Sequence, residues 1–163
     1  MKTLFIQTGG TIDKAYPKTN NGYAFEIGSP AFLSVLDRIG IADPDAVSLC
    51  KKDSSEITDV DRQLLKKLIL EAEQRQIVVT HGTDTLIETA QFVGNIPDKT
   101  IVFTGAFLPE VFKSSDADFN LGMAMGLVQS KKEGTFITMN GQVFSPEQCV
   151  KSKENGKFQF KHE

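Results

Sequence analysis

Two short runs rich in glycine and threonine contain residue types that could carry out chemistry. The first is TGGT (residues 8–11), the second is HGTDT (residues 81–85), and each follows an apolar run. A threonine hydroxyl becomes a nucleophile when a neighbouring group, such as a neutral lysine amine, takes its proton. The two runs therefore admit catalysis by a threonine hydroxyl, and they also admit simple helix capping by Thr83 and Asp84.

Several common site signatures are missing from the sequence. Gly9 and Gly10 do not fit the dinucleotide pattern G-x-G-x-x-G, and no G-x-x-x-x-G-K-[ST] loop occurs. The only histidines are His81 and His162, without H-E-x-x-H or paired-cysteine spacing, so we expect no metal and no cofactor. A Ser-His-Asp triad would need His81, and no G-x-S-x-G elbow accompanies it. We interpret His81 as a structural residue.

Strand-like and helix-like segments alternate along the chain and must position these residues. Short apolar runs rich in β-branched residues predict five strands, at residues 3–7, 46–50, 77–80, 100–104 and 135–139. An alternating stretch at 157–161 could form an edge strand. Residues 13–28 are rich in Lys, Asn, Gly and Pro, and this composition predicts a mobile loop or a loosely held hairpin that is less ordered than the sheet.

Four helices are predicted between the strands. The first has Ser29 as its N-cap, Pro30 at its first position and Gly40 at its end. The second begins at Thr58, with Asp61 completing a capping box. Its apolar face comprises Leu64, Leu65, Leu68 and Ile69. The remaining two helices are predicted at residues 83–93 and 115–129.

This alternation predicts an α/β fold with a doubly wound, mainly parallel sheet and helices on both faces, of Rossmann or flavodoxin type. We expect residues 1–163 to form a single domain with right-handed crossovers. Ligands of such sheets lie beyond the carboxyl ends of the strands. Small, hydroxylic or amide residues follow all five strands, as TGGT, KDSS, HGTDT, GAF and NGQ.

Composition narrows the classes of partner. The chain is 40% hydrophobic and 24% charged, as in ordinary globular proteins. A net charge of -3 with dispersed Lys and Arg argues against nucleic acid or a membrane as the main partner. Cys50 and Cys149 are expected to be free thiols. The apolar run at the N-terminus is too short for a signal peptide, so a cytoplasmic location is expected.

The motifs, taken together, resemble a known family. TGGTI (residues 8–12) followed by THGTDT (80–85) is similar to the two signatures of bacterial-type L-asparaginases, which are threonine-nucleophile amidohydrolases. DSSEIT (53–58) resembles the loop that binds the substrate carboxylate in that family. The segments at 104–121 and 139–151 resemble the stretch after the fourth strand and the stretch ending in the catalytic lysine. The resemblance extends to about residue 153.

The resemblance implies a role for each matching residue. Thr11 would be the primary nucleophile and Tyr23 would help to activate it. Thr83, Asp84 and Lys151 would form a second triad, in which Lys151 deprotonates the Thr83 hydroxyl.

The same resemblance implies a substrate site. Ser54 and Ser55 would hold the α-carboxylate of the substrate, and Asp84 would hold its α-ammonium. Backbone N–H groups near Gly10 and Thr83 would meet the oxyanion, and the Ala106 backbone would contact the leaving carboxamide.

In the resembling family a second, C-terminal α/β domain follows, and the neighbouring subunit contributes an acid to the site. We expect the present chain to correspond to the N-terminal domain alone. The favoured function is hydrolysis of a small amide by a homodimer or larger homo-oligomer. The alternatives are a module that binds an amino acid or amide without turnover, and a stable domain whose motifs serve only as turns and caps.

Overall fold

The computed structural model describes residues 2–17, 24–130 and 132–161, and ten strands form within them. The strands are β1 (Thr3–Gly9), β2 (Lys14–Ala15), β3 (Glu26–Ile27), β4 (Asp45–Lys52), β5 (Gln76–Thr80), β6 (Thr100–Thr104), β7 (Gly134–Met139), β8 (Gln142–Phe144), β9 (Cys149–Lys151) and β10 (Phe158–Phe160). The helices are α1 (Ala31–Arg38), α2 (Asp59–Glu71), α3 (Leu86–Val93) and α4 (Ala117–Gln129).

Six strands form one sheet in the order β4-β1-β5-β6-β7-β8. The first five run parallel, and β8 pairs antiparallel with β7. The predicted α/β fold with a mainly parallel sheet is therefore confirmed. Because β1 lies between β4 and β5, the direction of winding reverses there, and this reversal opens a crevice beyond the carboxyl ends of β1 and β5.

Alternate side chains of the strands point to two separate cores. On one face, Ile6, Val79 and Phe103 pack against α2 and α3. On the other face, Phe5 and Val102 pack against α1 and α4. Helices therefore cover both faces of the sheet, as the alternating sequence pattern predicts.

One crossover departs from the expected handedness. The chain moves in the same direction across the sheet from β5 to β6 and from β6 to β7. However, α3 packs on one face and α4 on the other, so the two connections have opposite hands. The expectation that all crossovers are right-handed is wrong. The long segment at residues 105–116 carries the chain to the opposite face before α4 begins.

The helix ends differ from the predictions in detail. Pro30 is the N-cap of α1, so the helix begins one residue later than predicted. Thr58 caps α2 as predicted, since its Oγ1 accepts a hydrogen bond from the Asp61 N–H at 3.4 Å. The Thr58 N–H in turn donates to Asp61 Oδ2 at 2.8 Å, which completes the capping box. Leu64 is half exposed, whereas Leu65 and Ile69 are buried, so the apolar face is narrower than predicted.

Two small hairpins lie outside the main sheet. Strands β2 and β3 pair at the two ends of the segment 13–28. Strands β9 and β10 pair so that Phe158 lies opposite Lys151, and this pairing confirms the strand proposed for residues 157–161. Cys50 and Cys149 are free. Within the part of the chain that the structure describes, no helix is long and apolar enough to cross a membrane.

Candidate active site

Close backbone contacts bring the loops after β1, β4, β5 and β6 together. A Cβ atom added to Gly10 would lie 2.3 Å from Gly82 Cα, and one added to Gly82 would lie 2.7 Å from Ser54 Cβ. Only glycine permits such approaches. The contact between Gly10 and Gly82 places the residues that follow them, Thr11 and Thr83, at neighbouring positions.

Thr11 begins a single 3₁₀ turn that ends at Asp13. The turn is closed by the Asp13 N–H, which donates to the Gly10 carbonyl oxygen at 3.2 Å. Gly10 has φ 91°, a left-handed conformation that only glycine adopts readily. Thr11 is partly exposed, in a turn that packs through Gly10 against Gly82. Tyr23, the proposed partner of Thr11, lies outside the described residues.

Lys151 joins Thr83 and Asp84 from a distant part of the chain. Its Nζ donates to Thr83 Oγ1 at 3.0 Å and to Asp84 Oδ1 at 2.5 Å. The hairpin pairing of β9 with β10 holds the lysine at this position. The Lys151 side chain is 25% exposed and that of Asp84 is 72% exposed, so the pair lies at the open mouth of the crevice. The three residues that the resemblance groups as a second triad are therefore in contact, and their catalytic role stays a prediction.

Aromatic rings cover one side of the lysine. Lys151 Nζ lies 5.8 Å from the centre of the Phe107 ring, within the range of a cation–π contact. Phe107 packs in turn on the buried ring of Phe158, with ring centres 6.2 Å apart. The two rings give the lysine an apolar wall that the sequence analysis did not identify.

The loop at residues 53–55 is tied to the turn that carries Asp84. Ser54 Oγ accepts a hydrogen bond from the Asp84 N–H at 3.1 Å, and the Thr85 hydroxyl donates to the Ser54 carbonyl oxygen at 2.6 Å. Ser54 is buried and Ser55 is exposed beside it. These two hydrogen bonds fix the backbone of the turn that carries Asp84.

Helix α3 starts at Leu86, so Thr83 and Asp84 lie in the preceding turn. Neither residue caps the helix, whose N-cap is Thr85 without a side-chain cap hydrogen bond. The capping interpretation of Thr83 and Asp84 is therefore wrong.

Ala106 lies in a loop that two polar residues of the following segment organise. The Asp116 carboxylate accepts from the Phe107 N–H at 2.9 Å, and Asn120 Nδ2 donates to the Gly105 carbonyl oxygen at the same distance. A Cβ atom on Gly105 would lie 2.4 Å from the His81 carbonyl oxygen, so this loop packs against the turn that contains Thr83. Asp116 and Asn120 were missed because nothing in their spacing marks them as ligands of a loop.

His81 is fully buried beneath the site. Its Nδ1–H donates to the Gly82 carbonyl oxygen at 2.8 Å. Burial, together with the nearby Arg62 charge, lowers the pKa of His81 to about 4. The other ring nitrogen, Nε2, has no hydrogen-bond partner among the described residues, and the structural role of His81 stays a prediction. Among residues 2–17, 24–130 and 132–161, no three His, Cys, Asp or Glu side chains are grouped as a metal site would require.

The arrangement suits acyl transfer. Two threonines lie in turns that contact each other, and the hydroxyl of one of them, Thr83, accepts a hydrogen bond from a lysine amine. Asp84 supplies an exposed carboxylate that could pair with a cationic ligand group. The crevice thus brings a threonine hydroxyl, a lysine amine and an exposed carboxylate together at the carboxyl edge of the sheet.

Comparison with known proteins identifies the relatives of the chain. A model of the N-terminal region of asparaginases matches residues 2–162. The glutaminase-asparaginase of Acinetobacter glutaminasificans is 28% identical, over 91% of this chain and 49% of its own length. The thermostable L-asparaginase of Thermococcus kodakarensis superposes with a TM-score of 0.79 at 29% identity, over 98% of this chain and 51% of that one.

The probable cytoplasmic L-asparaginase of Campylobacter jejuni gives a TM-score of 0.80 at 28% identity, over 98% of this chain and 52% of that one. The chain thus spans about half the length of the relatives that it matches.

Proposed function

The chain belongs to the asparaginase family, and on this premise we propose that it hydrolyses a side-chain amide, of L-asparagine or a similar compound, to the acid and ammonia. The observation that carries the proposal is the contact of Lys151 Nζ with both Thr83 and Asp84. A lysine that served only solubility would extend into solvent, whereas Lys151 donates hydrogen bonds to a hydroxyl and a carboxylate in this crevice.

Thr11 is the proposed nucleophile. Its Oγ adds to the amide carbon, the C–N bond breaks, and ammonia leaves with the proton of the hydroxyl. Water then attacks the resulting ester, releases the acid and restores the Thr11 hydroxyl. Tyr23 assists the first proton transfer, while Lys151 and Asp84 act on the second hydroxyl, that of Thr83.

The substrate is a small amide with amino-acid character. Ser54 and Ser55 hold its α-carboxylate, and the exposed Asp84 carboxylate holds its α-ammonium. Backbone N–H groups at Gly10 and Thr83 stabilise the oxyanion, and the Ala106 backbone contacts the carboxamide. No cofactor takes part in this scheme.

The active form is proposed to be a homodimer or larger homo-oligomer. In one chain the Asp84 side chain is 72% exposed, and a water-filled crevice weakens the electrostatic interactions that acyl transfer needs. A second copy over the crevice would exclude that water. A cytoplasmic location is proposed because one relative, from Campylobacter jejuni, is described as a probable cytoplasmic L-asparaginase.

The alternative is a binding module that recognises an amino acid or amide without turnover. The exposure of the Lys151–Asp84 pair favours this alternative, since water can enter the site. The two proposals differ in their dependence on Lys151. Lys151→Met should abolish turnover if the lysine is a base, and a binding module should retain its function in that variant.

The test is ammonia release from a panel of amides, including L-asparagine and L-glutamine, with calorimetric titration of the same compounds. Thr11→Val removes one hydroxyl, and the control Thr3→Val removes one at the start of β1, the end of that strand away from the crevice. Lys153→Met, at an exposed position two residues away, is the control for Lys151→Met. The proposal expects turnover to fall by at least a hundredfold in the Thr11 and Lys151 variants and to persist in both controls. Binding without ammonia release in the unmodified protein would support the binding module.

A further inference from the structure

Asp13 is a buried carboxyl group immediately beside the proposed nucleophile, and the scheme above gives it no role. It is 3% exposed and ends the turn that Thr11 begins. Its Oδ1 accepts a hydrogen bond from the Ala31 N–H at 2.7 Å. Oδ2 has no hydrogen-bond partner among the described residues. A buried carboxyl with an unsatisfied oxygen costs free energy, so a compensating role is expected.

The hydrogen bond joins the turn to the start of α1. Ala31 is the first residue of the helix, and the N-cap, Pro30, has no side-chain acceptor for the free N–H groups there. Asp13 therefore acts as the cap from a different segment of the chain. Its backbone oxygen also accepts from the Gly28 N–H at 2.9 Å, which closes the base of the segment 13–28.

The other end of α1 holds the same turn by a second route. Arg38 forms an ion pair with Glu110, and the Glu110 N–H donates to the Ile12 carbonyl oxygen at 3.1 Å. Ile12 lies between Thr11 and Asp13. Both ends of a single helix are thus connected to a three-residue turn.

We propose that Asp13 is a positioning residue for Thr11, fixing the 3₁₀ turn against α1 so that the hydroxyl stays in the crevice. The proposal rests on the proposed function, in which Thr11 is the nucleophile. Because the turn has only three residues, a displacement at Asp13 is transmitted directly to Thr11. Misplacing a reacting group by about 1 Å can cost a hundredfold in rate.

The first test compares kcat and KM for ammonia release in three variants. Asp13→Ala removes the acceptor, Asp13→Asn keeps an oxygen that can accept from Ala31, and Asp37→Asn changes an exposed carboxylate in the last turn of α1. The proposal expects kcat to fall at least tenfold in Asp13→Ala while KM changes less than threefold. Asp13→Asn should recover most of kcat. A folded Asp13→Ala protein with normal kcat, or an Asn variant as impaired as the Ala variant, would overturn the proposal.

A second readout does not depend on activity. In methyl-labelled protein, the Thr11 γ-methyl NMR signal should be sharp in the unmodified chain and in Asp13→Asn, and shifted or broadened in Asp13→Ala. The Thr3 methyl signal, at the start of β1, should not change in any of them. An unchanged Thr11 signal in Asp13→Ala would contradict the proposal even if the protein hydrolysed no amide. Failure of the positioning role of Asp13 can therefore be distinguished from failure of the proposed function.

A third variant covers the case in which Asp13→Ala does not fold. Ala31→Pro removes the N–H donor instead of the acceptor, and proline suits the first position of a helix. The ψ of Pro30, 124°, also suits a following proline. This variant should reproduce the loss of kcat and the change in the Thr11 signal. Normal values for both would count against the proposal.

Discussion

The buried Asp13 carboxyl should make the stability of the protein depend on pH in an unusual direction. Burial raises the pKa of Asp13 to about 7, against smaller lowering effects of the Ala31 N–H, the Gln7 side chain and the Lys51 charge. The ordinary value is 3.8, so between these two values the folded chain holds a proton that the unfolded chain releases. Stability from this group is therefore present at low pH and is lost as pH rises through about 7.

The size of this pH effect on stability follows from the change in the pKa of Asp13 on folding. The pKa of Asp13 differs by about 3 units between the unfolded and the folded chain, and each unit corresponds to about 1.4 kcal/mol of stability. The free energy of unfolding should therefore fall by about 4 kcal/mol as the pH rises through both pKa values, and about 2.5 kcal/mol of this fall lies between pH 5 and pH 8. In Asp13→Asn this dependence is removed. The free energy of unfolding of the variant, relative to the unmodified protein, should therefore rise by about 2.5 kcal/mol between pH 5 and pH 8.

Urea denaturation at intervals of pH measures this difference. The pKa of His81 is lowered to about 4, so its titration reduces the stability of the folded protein as pH falls from 6.5 toward 4. This contribution is the same in the variant and the unmodified protein, and it cancels when their free energies of unfolding are subtracted. Asp37→Asn, at an exposed site, is the control and should show a nearly constant difference from the unmodified protein. A flat difference for Asp13→Asn between pH 5 and pH 8 would refute the argument from burial.

Three further predictions concern the site and its surroundings. Thr83→Ala should abolish ammonia release with little change in melting temperature, since Thr83 does not cap α3; a large drop in melting temperature would contradict this. Gly82→Ala should destabilise the protein by about 1–3 kcal/mol in urea denaturation, because its Cβ would lie 2.7 Å from Ser54 Cβ, whereas Gly126→Ala, with open space around it, should not. Burial raises the pKa of the Cys50 thiol to about 11, so Cys50 should react slowly with a disulfide reagent at pH 8, and rapid labelling of the folded protein would show otherwise.

The central sheet could be predicted because its strands are nearly continuous apolar runs. Residues 77–80 and 100–104 are buried on both faces, and such runs are typical of parallel strands between two helical layers. The position of the site followed from the polar turns at the carboxyl ends of those strands. The contact of Lys151 with Thr83 was expected from the resemblance alone. The two residues are 68 positions apart in sequence, so local spacing could not predict that they meet.

The remaining features depend on contacts between distant segments. The start of α3 could not be placed because Ser54, from another loop, holds the preceding turn in a non-helical conformation. The face on which α4 packs depends on the path of residues 105–116, which carry no periodic pattern. Asp13 lies in a segment with the composition of a polar loop, and its burial and its contact with the start of α1 involve residues 18 positions away. Neither local propensity nor spacing contains this information.

The most direct test of the proposed mechanism is to trap the acyl group on the nucleophile. Protein in the presence of excess amide substrate is quenched in acid during turnover, digested, and searched by mass spectrometry for an ester of the substrate acid. The proposed mechanism predicts that this ester is on Thr11 and is missing from Thr11→Val samples treated in the same way. An ester located on another residue, with ammonia release unaffected by Thr11→Val, would contradict it.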